Sequence, residues 1–332
     1  MRTPSGVGNR RVIVADPGGQ GFVLQKPPRV ILALDGSTRV CGAALVRPGQ
    51  TGTADGVVRG VSCPPCWETV GSRAEVDSRG QAKLLLPMVD EMLTEVGLSP
   101  ADLGAIVVGV GPGTFTGVRI AVATARALSL ALQVPVAGIS TLGALAAAAA
   151  TRAIAGGACR SGGDDVGVAP VSALLVPVVD ARRGQVFFGL YEATGSQAPA
   201  RRWVRRGAFA VCDRAALGGI VAAVGAGPTQ VLAEARELIG DLPEGAEFVG
   251  SAVGAEWLVL GQDLLIEPGE GFEGHRLQRW LAGVLREGGP AVPEAVKPIY
   301  VRSPDADVHI TKMRDPWAGS PGSPSSEGPV RT

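Results

Sequence analysis

Between residues 30 and 155, short apolar runs alternate with longer stretches of helical periodicity, and that alternation restricts the chain to few architectures. Residues 30–34 form an apolar run ending at Asp35 and residues 41–46 form a second, so Asp35-Gly36-Ser37-Thr38-Arg39 is a tight connection between paired strands. A helix is expected over residues 78–96, with Leu85, Val89, Met92 and Val96 on one stripe and Gly97 at its end. A buried-type strand over 105–109, a helix over 116–132, a strand over 134–139 and a helix over 141–155 follow. This order predicts an α/β fold with helices covering a mostly parallel sheet. Strands return at 172–179 and 186–191, joined through Asp180-Ala181-Arg182-Arg183-Gly184, so a second unit opens with the same hairpin as the first. Weaker signals beyond it give a strand over 220–224, a helix over 229–239 and a helix over 272–286.

The 332 residues, 46% hydrophobic and 19% charged, supply material for two domains with apolar cores. A formal net charge of zero leaves no long-range field to draw the molecule onto nucleic acid or an anionic membrane. Any such contact is local or made by a partner. Cys41, Cys63, Cys66, Cys159 and Cys212 are odd in number and scattered, which points to reduced thiols and a cytoplasmic protein. Cys63-Pro64-Pro65-Cys66 has redox spacing but no strand-to-helix setting, and is expected to be a loop. No export signal is expected in residues 1–28, and no uninterrupted apolar run reaches membrane-spanning length; the nearest, residues 142–155, is short and holds Arg152. Composition marks residues 1–29 as a disordered extension, 156–169 as a flexible Gly-rich insertion and 303–332 as a disordered tail. Two lobes remain, at 30–155 and 170–302. Arg201-Arg202-Trp203-Val204-Arg205-Arg206 alternates basic groups with an aromatic; a charged, solvated strand edge is favoured there over a phosphate-contacting patch.

The strongest local signal is Gly111-Pro112-Gly113-Thr114-Phe115-Thr116-Gly117-Val118-Arg119, between a strand and a helix. Its glycines permit close backbone approach, Thr114 or Thr116 can cap the helix, and amides at a helix N-terminus favour an anion. Two readings stay open: a phosphate or carboxylate cradle, or a tight strand-to-helix turn with Arg119 paired to a carboxylate. No Gly-Lys-Ser/Thr follows, and the glycine spacing misses the dinucleotide fingerprint by one residue. Asp35, Ser37 and Thr38 have the chemistry of a phosphate hairpin, or of an ordinary turn in which Asp and Ser bond their own backbone. Asp180 repeats the arrangement, and two facing hairpins are how the actin, Hsp70 and sugar-kinase (ASKHA) fold grips nucleotide phosphates.

These segments, with Ile31-Leu32-Ala33-Leu34 before the first hairpin, Pro135-Val136-Ala137-Gly138-Ile139-Ser140-Thr141-Leu142, and Val179 to Val186 around the second, resemble the TsaB family over roughly residues 30–191. A weaker echo lies in Pro298-Ile299-Tyr300-Val301-Arg302. Gly36 stands where the family usually has threonine, Gln185 where it usually has glutamate, and Gln81-Ala82 where a His-Ser pair is common. The resemblance implies a two-lobed ASKHA-like α/β fold with vestigial anion or nucleotide positions at Asp35, Ser37, Thr38, Gly111, Gly113, Thr114, Thr116, Arg119 and Asp180. It implies a non-catalytic subunit that docks on and activates TsaD in threonylcarbamoyladenosine modification of tRNA, joins TsaE in a larger complex and forms a homodimer when alone. tRNA would be contacted indirectly or weakly. No catalytic residue, metal or cofactor of its own is expected, any ATP or ADP being confined to the partner interface. The alternative is a self-sufficient ATP-dependent transferase or kinase. His275 and His309 are the only histidines, too few and too separated for a metallopeptidase.

The expected docking surface rests on the first two long helices. Leu85, Met88, Val89, Met92 and Leu93 wrap wider than a sheet-facing stripe requires, while Ala121, Thr124, Ala125 and Leu128 would let a partner's helices approach closely.

Overall fold

The computed structural model describes residues 13–14, 23–24, 30–49, 67–76, 81–158, 173–194, 202–224, 227–250, 254–266, 274–287 and 289–301. The Cys63–Cys66 pair, most of the Gly-rich insertion and the C-terminal tail lie outside these residues. A two-residue ladder pairs β1 (Ile13–Val14) with β2 (Val23–Leu24). The first lobe contains β3 (Val30–Asp35), β4 (Val40–Pro48), β5 (Trp67–Val76), α1 (Gln81–Glu95), β6 (Leu103–Gly109), α2 (Phe115–Leu132), β7 (Val136–Ile139) and α3 (Thr141–Ala158). The second contains β8 (Leu174–Arg182), β9 (Gln185–Thr194), β10 (Arg202–Asp213), α4 (Leu217–Val224), β11 (Thr229–Ala233), β12 (Ala246–Gly250), β13 (Leu265–Ile266) and α5 (Gly274–Glu287).

The first sheet has the order β5-β4-β3-β6-β7, antiparallel at β5-β4-β3 and parallel at β3-β6-β7. The central strand β3 is buried along its whole length because both faces are covered. Val30, Leu32 and Leu34 point to a core shared with α1 and α2, while Ile31 and Ala33 point to a core shared with the second lobe. Burying a side chain such as Ile31 contributes about 2 kcal/mol. The second sheet runs β12-β11-β8-β9-β10-β13. Between the sheets lies α3, buried on every side from Thr141 to Ala150. Leu142, Ala144 and Leu145 belong to the core shared by both lobes, and Ala146, Ala147, Ala149 and Ala150 pack with Leu175, Tyr191 and Trp203 of the second sheet. A helix that is apolar all round is a core helix, and its alanines let two sheets close on it. The Ala-rich run is therefore the central helix of the molecule.

α2 is the helix whose 18 residues, at a mean hydropathy of 1.4, are by length and composition enough to cross a membrane. Arg119 and Arg126 interrupt it, so a search for uninterrupted runs passes over it. Its inner face, with Val118, Ala121, Val122 and Ala125, packs on the first core. Arg126 donates to the carbonyls of Val296 at 2.5 Å and Glu294 at 3.4 Å.

Three expectations are corrected. Residues 220–224 belong to helix α4, where Leu217 and Val221, one turn apart, enter the core under the second sheet. Residues 229–239 open with strand β11, parallel to both β8 and β12, and only Arg236–Leu238 makes a short 3₁₀ turn. Residues 202–213 form β10, which pairs with β9 and, at Trp203 and Val204, also with β13; Trp203 is fully buried, so the solvated edge expected over residues 201–206 is covered there, while Arg206 stays exposed. Strand β5 has no counterpart in the sequence-based assignment, because its charged residues and Gly71 hide the alternation of a half-exposed edge strand.

Candidate functional site

Two hairpins of the same design end the central strands of the two sheets. In the first, Oδ1 of Asp35 accepts a hydrogen bond from the Ser37 amide at 2.7 Å, and the Thr38 hydroxyl accepts one from the Val40 amide at 3.1 Å. In the second, Oδ1 of Asp180 accepts from the Arg182 amide at 2.8 Å. Arg183 and Gly184, both at positive φ (54° and 76°), make the two-residue turn that matches strand twist. Each aspartate thus organises its own turn. They differ in compensation. Asp180 is held by Arg214 at 3.2 Å and Arg182 at 3.6 Å. Asp35 is 2% exposed, and its Oδ2 has no hydrogen-bond partner among the described residues.

Burial raises the Asp35 carboxyl from 3.8 to about 6, against the lowering effect of its hydrogen bonds from Ser37, with Glu234 raising it further. Folded Asp35 therefore binds its proton more tightly than the unfolded chain does. The resulting stability is fully present below about pH 4 and is lost as pH rises to about 6, a change of about 3 kcal/mol. In Asp35→Asn, which keeps an acceptor for the Ser37 amide, this part of the pH dependence is expected to vanish. Denaturant midpoints measured from pH 4 to pH 7.5 check it; an unchanged slope would show that Asp35 is not a buried titrating group.

Glu234, directly after β11, is the member of the site that sequence reasoning missed. Burial raises its carboxyl, offset by a hydrogen bond from Thr38 and by Arg39 and Arg182, while Asp180 raises it. Its Oε1 is buried without a hydrogen-bond partner among the described residues. Glu234 thus stands between the two hairpins and feels both.

The glycine-rich loop is brought to the first hairpin and filled by it. The Thr114 amide donates to the Ser37 carbonyl at 2.7 Å, and the Thr114 hydroxyl to the Gly36 carbonyl at 3.4 Å. A Cβ on Gly113 would lie 2.0 Å from the Ser37 oxygen, and one on Gly109 would lie 2.6 Å from Oδ1 of Asp35. These glycines admit the hairpin, a partner the spacing alone did not reveal. Gly36, with 3.0 Å between its ideal Cβ and the Gly117 carbonyl, lets the hairpin lie on α2. The remaining anion candidates diverge. Gly111 is buried at φ 89°, and Thr116 is exposed on α2. Among the described residues Arg119 pairs with no carboxylate: it donates to the Tyr300 hydroxyl at 3.0 Å and stacks on Phe115 at 3.6 Å. Tyr300 belongs to the C-terminal segment that crosses α2, where the Ile299 amide bonds the Val110 carbonyl at 2.7 Å.

The residues expected to face a partner mostly face inward. Leu85, Met88, Val89, Met92, Leu93, Ala121 and Ala125 are all buried in the core of the first lobe, and Leu128 packs against it half-buried, as Thr124 is. The wide apolar arc of α1 is absorbed because the helix lies in the angle between its sheet and α2. The apolar side chains that α1 and α2 leave outside include Leu86, 51% exposed, Leu130, 52% exposed, Phe115, 39% exposed, and a row of Ala123, Ala127 and Ala131.

A family model described as TsaD, tRNA N6-adenosine threonylcarbamoyltransferase, matches residues 71–202. The chain is 32% identical over 162 residues to the tRNA threonylcarbamoyladenosine biosynthesis protein TsaB of Escherichia coli, covering 49% of this chain and 54% of that protein. It is 38% identical over 107 residues to the Bacillus subtilis protein of the same name, covering 32% and 38% respectively. These relatives support a TsaB-family assignment. It spans about half the length of the curated relatives it matches. A Pseudomonas aeruginosa crystal structure, of an uncharacterized protein with similarity to peptidase YeaZ, superposes with a TM-score of 0.50 at 27% identity, covering 82% of this chain and 100% of that one. The two-sheet α/β architecture is the ASKHA-like fold. Among the described residues no group of three or more His, Cys, Asp or Glu is placed to hold a metal ion.

Proposed function

We propose that this chain is a non-catalytic partner subunit in threonylcarbamoyladenosine formation on tRNA, next to the anticodon. In this reading it acts in the cytoplasm, docks on TsaD and activates it, joins TsaE in a larger complex and pairs with itself when alone. The observation that carries the reading beyond likeness to the TsaB relatives is the contact of Ser37 with Gly113 and Thr114. A phosphate needs donors, and at this loop it would meet a carbonyl oxygen already bonded to the Thr114 amide. A self-sufficient ATP-dependent transferase or kinase would have to open that contact in order to bind. The chain then has no cofactor of its own, any ATP or ADP sits at the partner interface, and tRNA is reached through the partner.

The docking face in this reading is the outer side of α1 and α2. Ala123, Ala127 and Ala131 recur one turn apart with Leu130 on the same helix, Leu86 is exposed on α1, and small residues let a second helix approach closely. Reconstitution with TsaD, TsaE and unmodified tRNA, followed by nucleoside mass spectrometry, tests the proposal. The expected result is no modified adenosine from this chain alone, and formation with TsaD that requires it. Turnover by the isolated chain, or tight Mg–ATP binding to it, would overturn the reading. Ala127→Glu, at an exposed helical position, should leave the thermal midpoint unchanged and abolish co-purification with TsaD; retained co-purification would remove α2 from the interface.

A further inference from the structure

We infer that the open cavity where α1 and α2 end receives a lysine or arginine side chain from the polypeptide that docks along their outer face. The inference rests on the docking reading above and adds the chemistry of the partner. α1 leads through residues 96–102 to the start of β6, and α2 leads through residues 133–135 to the start of β7, which runs parallel to β6. Both helices therefore end on the same side of the sheet. Between their ends lies a cavity of about 580 Å³, within the size range of pockets that take a ligand group. Ala131 lines it and is also the last of the exposed row Ala123, Ala127 and Ala131, so a helix lying along that row reaches the cavity.

The wall selects the occupant. Pro100, Leu103, Leu132 and Val134 make it apolar, which suits a long aliphatic stem. Its polar side chains turn donors to local partners: the Ser99 hydroxyl donates to Oδ2 of Asp102 at 2.7 Å, and Nε2 of Gln133 donates to the Leu130 carbonyl at 2.7 Å. An acceptor remains. The helical donor position for the Ala131 carbonyl is Pro135, which has no amide proton, and among the described residues that carbonyl accepts no backbone hydrogen bond. Charge favours a cation as well. Asp102 is the one charged side chain in residues 96–103 and 129–136, and neither helix has a basic residue in its last turn. Arg73 is engaged with Glu91 and Glu95, and Arg126 with the Val296 carbonyl. The negative ends of two parallel helix dipoles thus meet at the cavity with no cation from this chain to offset them.

Amide spectra of the full, isotope-labelled chain, titrated with Nα-acetyl-lysine methylamide and with its norleucine counterpart, test the pocket without a partner. The two probes share a four-carbon stem and differ in the ammonium. The lysine probe should shift the amides of Ala101, Asp102 and Gln133 with a Kd at least about threefold below that of the norleucine probe. Equal affinity for both probes, or no shift from either, would overturn the inference. Capture of TsaD by the full chain tests the pocket in the complex. Ala101→Lys, which brings this chain's own ammonium to an exposed position of the wall, should weaken binding about tenfold, while Ala101→Glu should bind at least as tightly as the wild type. Both variants should keep the wild-type thermal midpoint. Unchanged binding by Ala101→Lys would overturn the inference, and so would equal weakening in the two variants, because bulk rather than charge would then be the cause. No capture of TsaD by the wild type would instead remove the docking reading, and the probe titration would decide the pocket by itself.

Discussion

Gly113→Ala is expected to destabilise the protein by about 3 kcal/mol or more, although it adds one methyl group to a half-exposed loop. The added Cβ would sit 2.0 Å from the Ser37 carbonyl oxygen and 2.8 Å from its carbon, and both are backbone atoms that cannot rotate away. Either the first hairpin or the loop must shift, and the shift breaks the hydrogen bond from the Thr114 amide to the Ser37 carbonyl, 2.7 Å long in the native protein. The disturbance reaches Asp35 and Thr38, whose positions depend on that turn. In a protein of this size the loss corresponds to a fall in thermal midpoint of about 6 °C or more. Gly219→Ala supplies the contrast. Gly219 lies inside α4 with nothing within 4 Å of an added Cβ, so the same substitution there should stabilise by about 0.5–1 kcal/mol. Thermal unfolding of both variants beside the wild type decides the matter. A Gly113→Ala protein that melts with the wild type would mean the hairpin is not seated in the loop.

The contrast shows where the sequence was informative. Apart from β5, the first lobe was legible because its central elements stop at residues that fix the backbone. Asp35 closes β3, Gly109 closes β6 and Gly97 follows α1, and between such breaks the period of the apolar residues has one interpretation. Beyond residue 215 breaks are present, Gly227 and Pro228 before β11 and Gly240 after it, but the run between them has no single period. Residues 229–233 bury Val231 and Ala233 on one side and Leu232 on the other, a two-residue period too short to tell from a helix turn when Ala-Glu-Ala-Arg-Glu-Leu follows it. Misassigning that strand also hid Glu234, which is placed beside Thr38 only because β11 runs parallel to β8. The glycine-rich loop identified itself as a place of close approach. What approaches it comes from 78 residues earlier in the chain, a distance over which spacing carries no information.

The same limit applies to the helices, and it yields the second large effect. Met92→Glu should cost about 4 kcal/mol or more and leave much of the protein unfolded, because Met92 is 1% exposed in the core between α1, α2 and the first sheet. A carboxylate there has no partner and no water, so it must either remain protonated or open the core. Loss of a binding partner by this variant would therefore report loss of the fold. Leu86→Glu separates the two causes. Leu86 lies on the same helix, 51% exposed, where a charged side chain should change stability by no more than about 0.5 kcal/mol. If α1 contributes to a docking face, Leu86→Glu should abolish partner capture with the thermal midpoint unchanged, while Met92→Glu should lower both together. A Met92→Glu protein that melts like the wild type would show that Met92 faces outward, and that the apolar arc of α1 is a binding surface rather than the inner wall of its own lobe.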